Sequence, residues 1–284
     1  MKVYIMTDME GAAGILNFRD WVEREGRYYE LGKKLVTDEV NACVRGFYDA
    51  AGDKIEETLI VDGHGFGGLI PSALDARTLY SRGWAKANCF GLEERYDVIA
   101  WVGQHAKAGT VRSHMTHTGS PCVLDQRLNG ISVGELGLIA AITGFYGAAP
   151  IFASGEKALA EEAEALLPGI HTAWVKRGVT QDNGIGLNTR QYEEHNLGAV
   201  QMQPDAACGL IYQRAKDAMT DYLENPKKFK PFDPGAPYRL EVWYREQEND
   251  APFYTVQYHE TALPECVSQP IVRKSYEPSD FQYG

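Results

Sequence analysis

Three uninterrupted apolar runs in the first half of this 284-residue chain each end on a side chain able to ligate a cation. "VYIMTD" delivers Asp8, with Glu10 two positions on; "TLIVDGH" delivers His64; "DVIAWVGQH" delivers His105. Continuous rather than alternating hydrophobicity marks strands covered on both faces, as in a parallel sheet with crossover helices. Alternate residues of an extended chain face one side about 6–7 Å apart, so Asp8 and Glu10 can aim at the same place. Acids at the mouth of a buried strand are costly to desolvate unless something positive meets them. As neighbouring strands, the three runs would converge at the carboxyl edge, where open α/β sheets build their ligand crevice. Two carboxylates and two imidazoles there suit a borderline metal such as zinc.

Between the first two runs, "YELGKKLVTDEVNACVRGFYDAAG" spaces Leu35, Val40, Val44 and Phe47 as one helical face and stops at Gly52. From about Val133 the rhythm repeats: helix "GELGLIAAITGFYG", strand "APIFAS", acidic helix "EKALAEEAEALLPG", strand "HTAWVKRG". The expected class is α/β, with a mostly parallel central sheet, flanking helices and a smaller C-terminal α+β lobe. The character shifts after "QDNGIG" (181–186). Residues 188–225 read as helical, interrupted at "QPDAA"; "PKKFKPFDPGAPY" is a proline-rich connector; "RLEVWYRE" and "FYTVQYHE" alternate like antiparallel strands. A metal-binding α/β catalytic core over 1–185 and a C-terminal lobe over 186–284 are therefore expected.

A formal net charge of −11 argues against nucleic acid as a partner, since phosphate binding needs clustered Lys and Arg. The five cysteines are scattered, odd in number and include no CxxC pair, which points to a reducing cytoplasm rather than a disulfide framework. The N-terminus reaches Asp8 and Glu10 before a signal-peptide apolar region can form. The 18 uncharged residues Leu136–Ala153 touch the length threshold of a membrane span, but they hold three glycines and Pro150 and read as helix, turn and strand. No membrane partner is expected.

Each candidate ligand has a plainer reading. Asp8 and Glu10 can serve the backbone N–H groups of the "GAAG" loop or charge a helix start. His64 in "DGHG" and His105 can be ordinary strand-end histidines, a lone imidazole saying little; three strand ends each presenting a ligand-type side chain weigh against that. "RSHMTHTGS" adds His114 and His117 in a Ser/Thr-rich loop; one of them suits acid/base or oxyanion work, and either can be a plain solvated loop histidine, His117 more readily than His114. Glu135 closes "SVGE", which has the form of a capping box with Ser132 as N-cap, yet it opens a very apolar helix and would face the interior. Spacing leaves that contest open.

The ordered set "TDMEG", "DGHG", "GQHA", "SHM" and "NGISVGELGL" resembles the signature of the DppA-type D-aminopeptidases, a family of di-zinc peptidases. "RYYELGKKLVTDEVNACVRGFYDAAG" and "ASGEKALAEEAEALLPG" are similar to that family's helices, so the resemblance spans about residues 1–178. It implies that Asp8 bridges two zinc ions per subunit, that Glu10 and His64 complete the first ion's protein shell, and that His105 and Glu135 complete the second. Three protein contacts per ion leave room for water and substrate, as catalytic zinc requires. The family's further catalytic histidine falls on His114, with no counterpart for His117. The resemblance also implies a homo-oligomer, with a ring-shaped decamer as the candidate assembly. "VTQDNGIGLNTRQ" and the C-terminal stretch depart from the family pattern.

The expected activity is hydrolysis of the N-terminal amide bond of a small peptide or amino-acid amide by metal-activated water, with D-specificity implied by the resemblance alone. Two alternatives stand beside it. A two-metal phosphoesterase would use the same ions, but only Lys107 and Arg112 are near enough in sequence to neutralise phosphate. A non-catalytic metal-dependent binding protein would close its coordination shell.

Overall fold

The apolar runs form the spine of a parallel sheet. A computed structural model describes residues 1–83, 91–277, 279, 281 and 282 of the chain. Its first half runs β1 (Lys2–Thr7), α1 (Phe18–Trp21), α2 (Tyr29–Ala51), β2 (Glu57–Asp62), β3 (Leu79–Ser81), β4 (Val98–Gln104), β5 (Val123–Leu128), β6 (Ile131–Ser132) and α3 (Glu135–Tyr146). There follow β7 (Ala149–Glu156), α4 (Lys157–Leu166), β8 (His171–Gly178), α5 (Thr189–Glu193), β9 (Ala199–Gln201), α6 (Pro204–Glu224), β10 (Tyr238–Tyr244), β11 (Phe253–His259), α7 (Leu263–Val267) and β12 (Arg273–Ser275).

Seven strands make one sheet in the order β3-β2-β1-β4-β7-β8-β9, parallel except for the antiparallel edge strand β9. Every residue of β4 and β7 is buried, which explains why their sequences show no alternation. Successive residues serve opposite layers. Val3, Ile5, Val98, Ala100 and Val102 join a core with α2 and α6, while Tyr4, Met6, Ile99 and Trp101 pack with α3, α4 and a second sheet. That second sheet is antiparallel, in the order β12-β11-β10-β5-β6.

Both sheets cross the expected boundary at 185/186. β9 pairs with β8 of the main sheet, and Ala207, Ile211, Ala215, Ala218 and Met219 of α6 lie in the same core as α2. Conversely β5, from the first half, pairs with β10 of the C-terminal strands. The helical reading of 188–225 is corrected in detail. The break falls at residues 194–203, where β9 intervenes, and "QPDAA" starts a helix: Gln203 caps it by accepting from the Ala206 N–H, and Pro204 fills a first-turn position that needs no donor. Leu136–Ala153 divides into α3, a turn at Gly147 and β7. No helix among the described residues is long and apolar enough to cross a membrane. Cys43, Cys122, Cys208 and Cys266 are free thiols, and Cys89 lies outside the described residues.

The register brings the loops that matter to one edge. Thr7, the last residue of β1, pairs with Asp62 on one side and Val102 on the other. The Asp8 N–H continues the ladder to the Val102 carbonyl (3.0 Å), and the Gly63 N–H reaches the Thr7 carbonyl (3.1 Å). Backbones this close leave no space for side chains at two places. A Cβ on Gly103 (φ +75°) would stand 2.2 Å from the Asp8 carbonyl oxygen, and one on Gly11 would stand 1.8 Å from the Gln104 carbonyl oxygen. Gly103→Ala combines left-handed strain with a backbone clash, and should cost about 3 kcal/mol or more. Urea unfolding of this variant checks it; an unchanged midpoint would show that the β1–β4 approach has slack.

Candidate metal centre

Asp8 sits just past β1, flanked by the ends of β2 and β4, and its two oxygens face different histidines. Oδ1 lies 3.3 Å from His64 Nδ1, and Oδ2 lies 3.2 Å from His105 Nε2. Glu10 Oε2 is also 3.3 Å from His64 Nδ1. Glu135 Oε1, at the first position of α3, is 3.4 Å from His105 Nε2. All five expected ligands therefore converge.

Their second atoms are fixed elsewhere. His64 Nε2 reaches the Val22 carbonyl at 2.8 Å, and His105 Nδ1 reaches the Ala106 carbonyl at 2.9 Å. Each carbonyl accepts the ring's N–H, which leaves the other nitrogen's lone pair facing the carboxylates, the arrangement typical of ligating imidazoles. Glu10 Oε2 and His105 Nε2 are buried with no hydrogen-bond partner. Ligands about 2.0–2.2 Å from a tetrahedral ion stand roughly 3.3–3.6 Å apart, which matches the separations here. Among the described residues two groups of potential ligand atoms occur, the atoms of each within 4.8 Å of one another: Asp8, Glu10 and His64 in one, and His105, His117 and Glu135 in the other. With Asp8 Oδ2 reaching toward the second group, the donor set fits a pair of borderline cations.

Electrostatics agree. Burial works against the imidazolium of His64, but Glu10 and Asp8 outweigh it and raise its pKa well above the ordinary value. Burial likewise opposes charge on His105, and Glu135 and Asp8 reverse it. Burial would raise Glu10 and Glu135, yet His64 and His105 respectively hold them below the usual carboxylate range. The cluster attracts positive charge, and a divalent ion competes for the same positions as those protons.

Glu135 is not a capping-box residue. Ser132 lies in β6, where its hydroxyl donates to Asp125 Oδ1 (2.7 Å), and Gly134 is the N-cap of α3. Placed one residue into the helix, Glu135 points across the sheet edge and accepts from the Gly119 N–H at 2.7 Å.

The expected catalytic residue His114 stands elsewhere. Its ring is fully buried, its Nε2 faces the Leu16 carbonyl at 3.3 Å, and it is absent from the cavity lining. Met115 turns the chain with φ +54°, and His117 is the loop histidine that reaches the site. It stacks on His105 with ring centroids 4.0 Å apart, places Nε2 3.8 Å from Glu135 Oε1 and donates Nδ1–H to the Met115 carbonyl at 3.0 Å. Burial, then the neighbouring His105, lowers its pKa and keeps the ring neutral. Sequence spacing held no signal to separate the two histidines. Gln104 was also missed: its amide Nε2 donates to Asp8 Oδ2 at 2.8 Å.

These groups open onto a cavity of about 420 Å³, toward the small end of ligand pockets, which run to roughly 1,000 Å³. Phe18, Val22, Phe66, Pro121, Leu138 and Ile139 give it apolar walls. Among the described residues no lysine or arginine lines it. Lys107 is turned to Ser132 and Arg112 to Gln181.

Known proteins share this chain's sequence and fold. The peptidase M55 family model, described as D-aminopeptidase, matches residues 1–262. The D-aminopeptidase of Bacillus subtilis (strain 168) is 32% identical over 240 residues, spanning 82% of this chain and 78% of that protein. The solved structure of the Zn-dependent D-aminopeptidase DppA from Bacillus subtilis, described as a self-compartmentalizing protease, superposes with a TM-score of 0.75 over 94% of each chain at 24% identity, a likeness of fold.

Burial, reinforced by Lys176, lowers the pKa of His114 from 6.5 to about 3. The folded value lies below the unfolded one, so the unfolded chain takes up the proton first as pH falls. The stability involved is complete above pH 6.5 and is lost progressively toward pH 3, by up to about 1.4 kcal/mol per unit. Metal-free protein should lose about 2 kcal/mol more than its His114→Asn variant between pH 6.5 and 5 in denaturant titrations. Parallel losses in the two would contradict a buried neutral His114.

Proposed function

This chain belongs to the D-aminopeptidase family, and from that premise we propose that it is a two-zinc enzyme removing the N-terminal residue of small D-configured peptides or amino-acid amides. One observation carries the reading: the two oxygens of Asp8 face two imidazoles held just beyond the ends of the two neighbouring strands, where one carboxylate could serve two ions. Glu10 and His64 would complete the hold on one ion, and His105 and Glu135 on the other. Zinc held by these residues would supply Lewis acidity for acidifying water and polarising a carbonyl.

The chain's own groups do the rest. The apolar walls formed by Phe18, Val22, Leu138 and Ile139 exclude water around the scissile amide. Glu23 and Glu193, the lining acids outside the ligand set, give the cavity a negative field that favours a substrate ammonium. His117, rather than His114, is the acid/base residue. With Nδ1–H tied to Met115 and the ring neutral, its Nε2 accepts the proton lost by the attacking water and returns it to the departing nitrogen as the C–N bond breaks.

A phosphoesterase would need cationic side chains, and among the described residues none lines the cavity. For the assembly, the self-compartmentalizing character of DppA and the exposed Trp174, Val179 and Val200 near the β8–β9 edge support a homo-oligomer, for which we propose the ring-shaped decamer. The free thiols of Cys43, Cys122, Cys208 and Cys266 support the cytoplasm as its compartment.

Metal analysis with chelation and re-addition, during assays on D- and L-alanyl and glycyl amides, tests the function. Purified protein should carry two zinc ions per chain, lose activity on chelation and recover it with zinc. Turnover insensitive to chelation would sink the reading. Asp8→Ala should release both ions. His117→Ala should retain both and lose about 10²-fold or more in kcat, whereas His114→Ala should keep most of its turnover.

A further inference from the structure

The acidic segment "GEKALAEEAEALLPG" binds no candidate ion, yet two of its carboxylates close on the backbone beside the His105–Glu135 half of the site. Glu156, the last residue of β7, is fully buried. Its Oε1 accepts from the Ala106 N–H at 2.9 Å and its Oε2 from the His114 N–H at 2.6 Å. Glu162, on α4, accepts from the Lys107 N–H at 2.9 Å and from the Gly134 N–H. Every one of these donors lies near a functional side chain: Ala106 and Lys107 follow His105, His114 stands three residues before His117, and Gly134 precedes Glu135.

The link to His105 runs through one peptide plane. The unit joining Ala106 to Lys107 donates its N–H to Glu162 and accepts, on the Ala106 carbonyl, the Nδ1–H of His105. A carboxylate on the N–H polarises that peptide and strengthens its carbonyl as an acceptor. The acceptor fixes the ring's tautomer and aims Nε2 at Asp8 and Glu135. An equivalent link to His64 is absent from these carboxylates, because that ring is held by the Val22 carbonyl instead.

We infer that Glu162 and Glu156 are positioning residues for one ion only, holding the His105–Glu135 half in ligating geometry through the Ala106, Lys107 and Gly134 peptides. This rests on the two-ion reading above. A glutamine at either place keeps one acceptor oxygen and turns an NH₂ toward a backbone N–H, so one of the paired bonds is lost with hardly any change in shape.

Zinc titration of the metal-free full-length chain against a competing chelator tests it, with wild type, Glu162→Gln, Glu156→Gln and Glu161→Gln compared. Glu161 is an exposed neighbour paired with Lys157. Wild type and Glu161→Gln should bind two ions. Glu162→Gln and Glu156→Gln should bind the first ion as tightly as wild type and the second about 10- to 100-fold more weakly. Glu162 is only half-buried, so its variant carries the test if Glu156→Gln fails to fold. Unchanged affinity for both ions in Glu162→Gln, or equal weakening of both, overturns the inference while leaving two-ion binding intact. A wild type that takes up a single ion instead overturns the two-ion reading, and this inference with it.

Discussion

Asp8 is the residue on which the arrangement of the edge depends. β1 lies between β2 and β4, so the first side chain beyond it is flanked by the loops that follow both neighbours. Its carboxylate, with Glu10 and Glu135, meets the imidazoles of His64, His105 and His117 and, among the described residues, no lysine or arginine in the cavity. Ionised groups so far removed from water cost several kcal/mol each unless they are compensated. The imbalance draws protons onto His64 and His105 or a cation between the ligands, so completion of the site and uptake of metal are one equilibrium.

The scaffold meets this demand with backbone geometry. Gly103 and Gly11 let chain segments approach where any side chain would collide, and carbonyls of Val22 and Ala106 orient the rings of His64 and His105. A second charged group lies behind the site, where Lys176 on β8 pairs in register with Glu156 of β7 and donates to the Ile15 carbonyl at 3.2 Å. Burial pushes the lysine down and the carboxylate up, and the attraction between the two opposes both shifts. The charge of Lys176 also acts on Glu10 and Asp8, so the β7–β8 centre of the sheet contributes to the field at the ligand edge.

Much of the fold was legible because a buried parallel strand leaves a simple trace. "VYIMTD", "TLIVDGH" and "DVIAWVGQH" became adjacent strands, and the ligands they carry met at one edge. Helix α2 followed its apolar spacing to Gly52. The failures have physical causes. "QPDAA" interrupts the helical pattern of 188–225, yet Pro204 stands at a first-turn position where its missing N–H removes no bond. "SVGE" satisfied the pattern of a capping box, but Ser132 was already committed to a strand and to Asp125.

What the residues determined by themselves was the donor chemistry: which side chains could hold a cation, and that strand ends would present them together. Hydrophobic continuity and ligand type are local properties, so a sequence records them. Which loop histidine faces the cavity was decided by a backbone turn at Met115 and by the stacking of His117 on His105. The pairing of β5 with β10 across more than a hundred residues was likewise decided by packing on the shared core. Those outcomes depend on contacts between distant segments, for which spacing along the chain carries no signal.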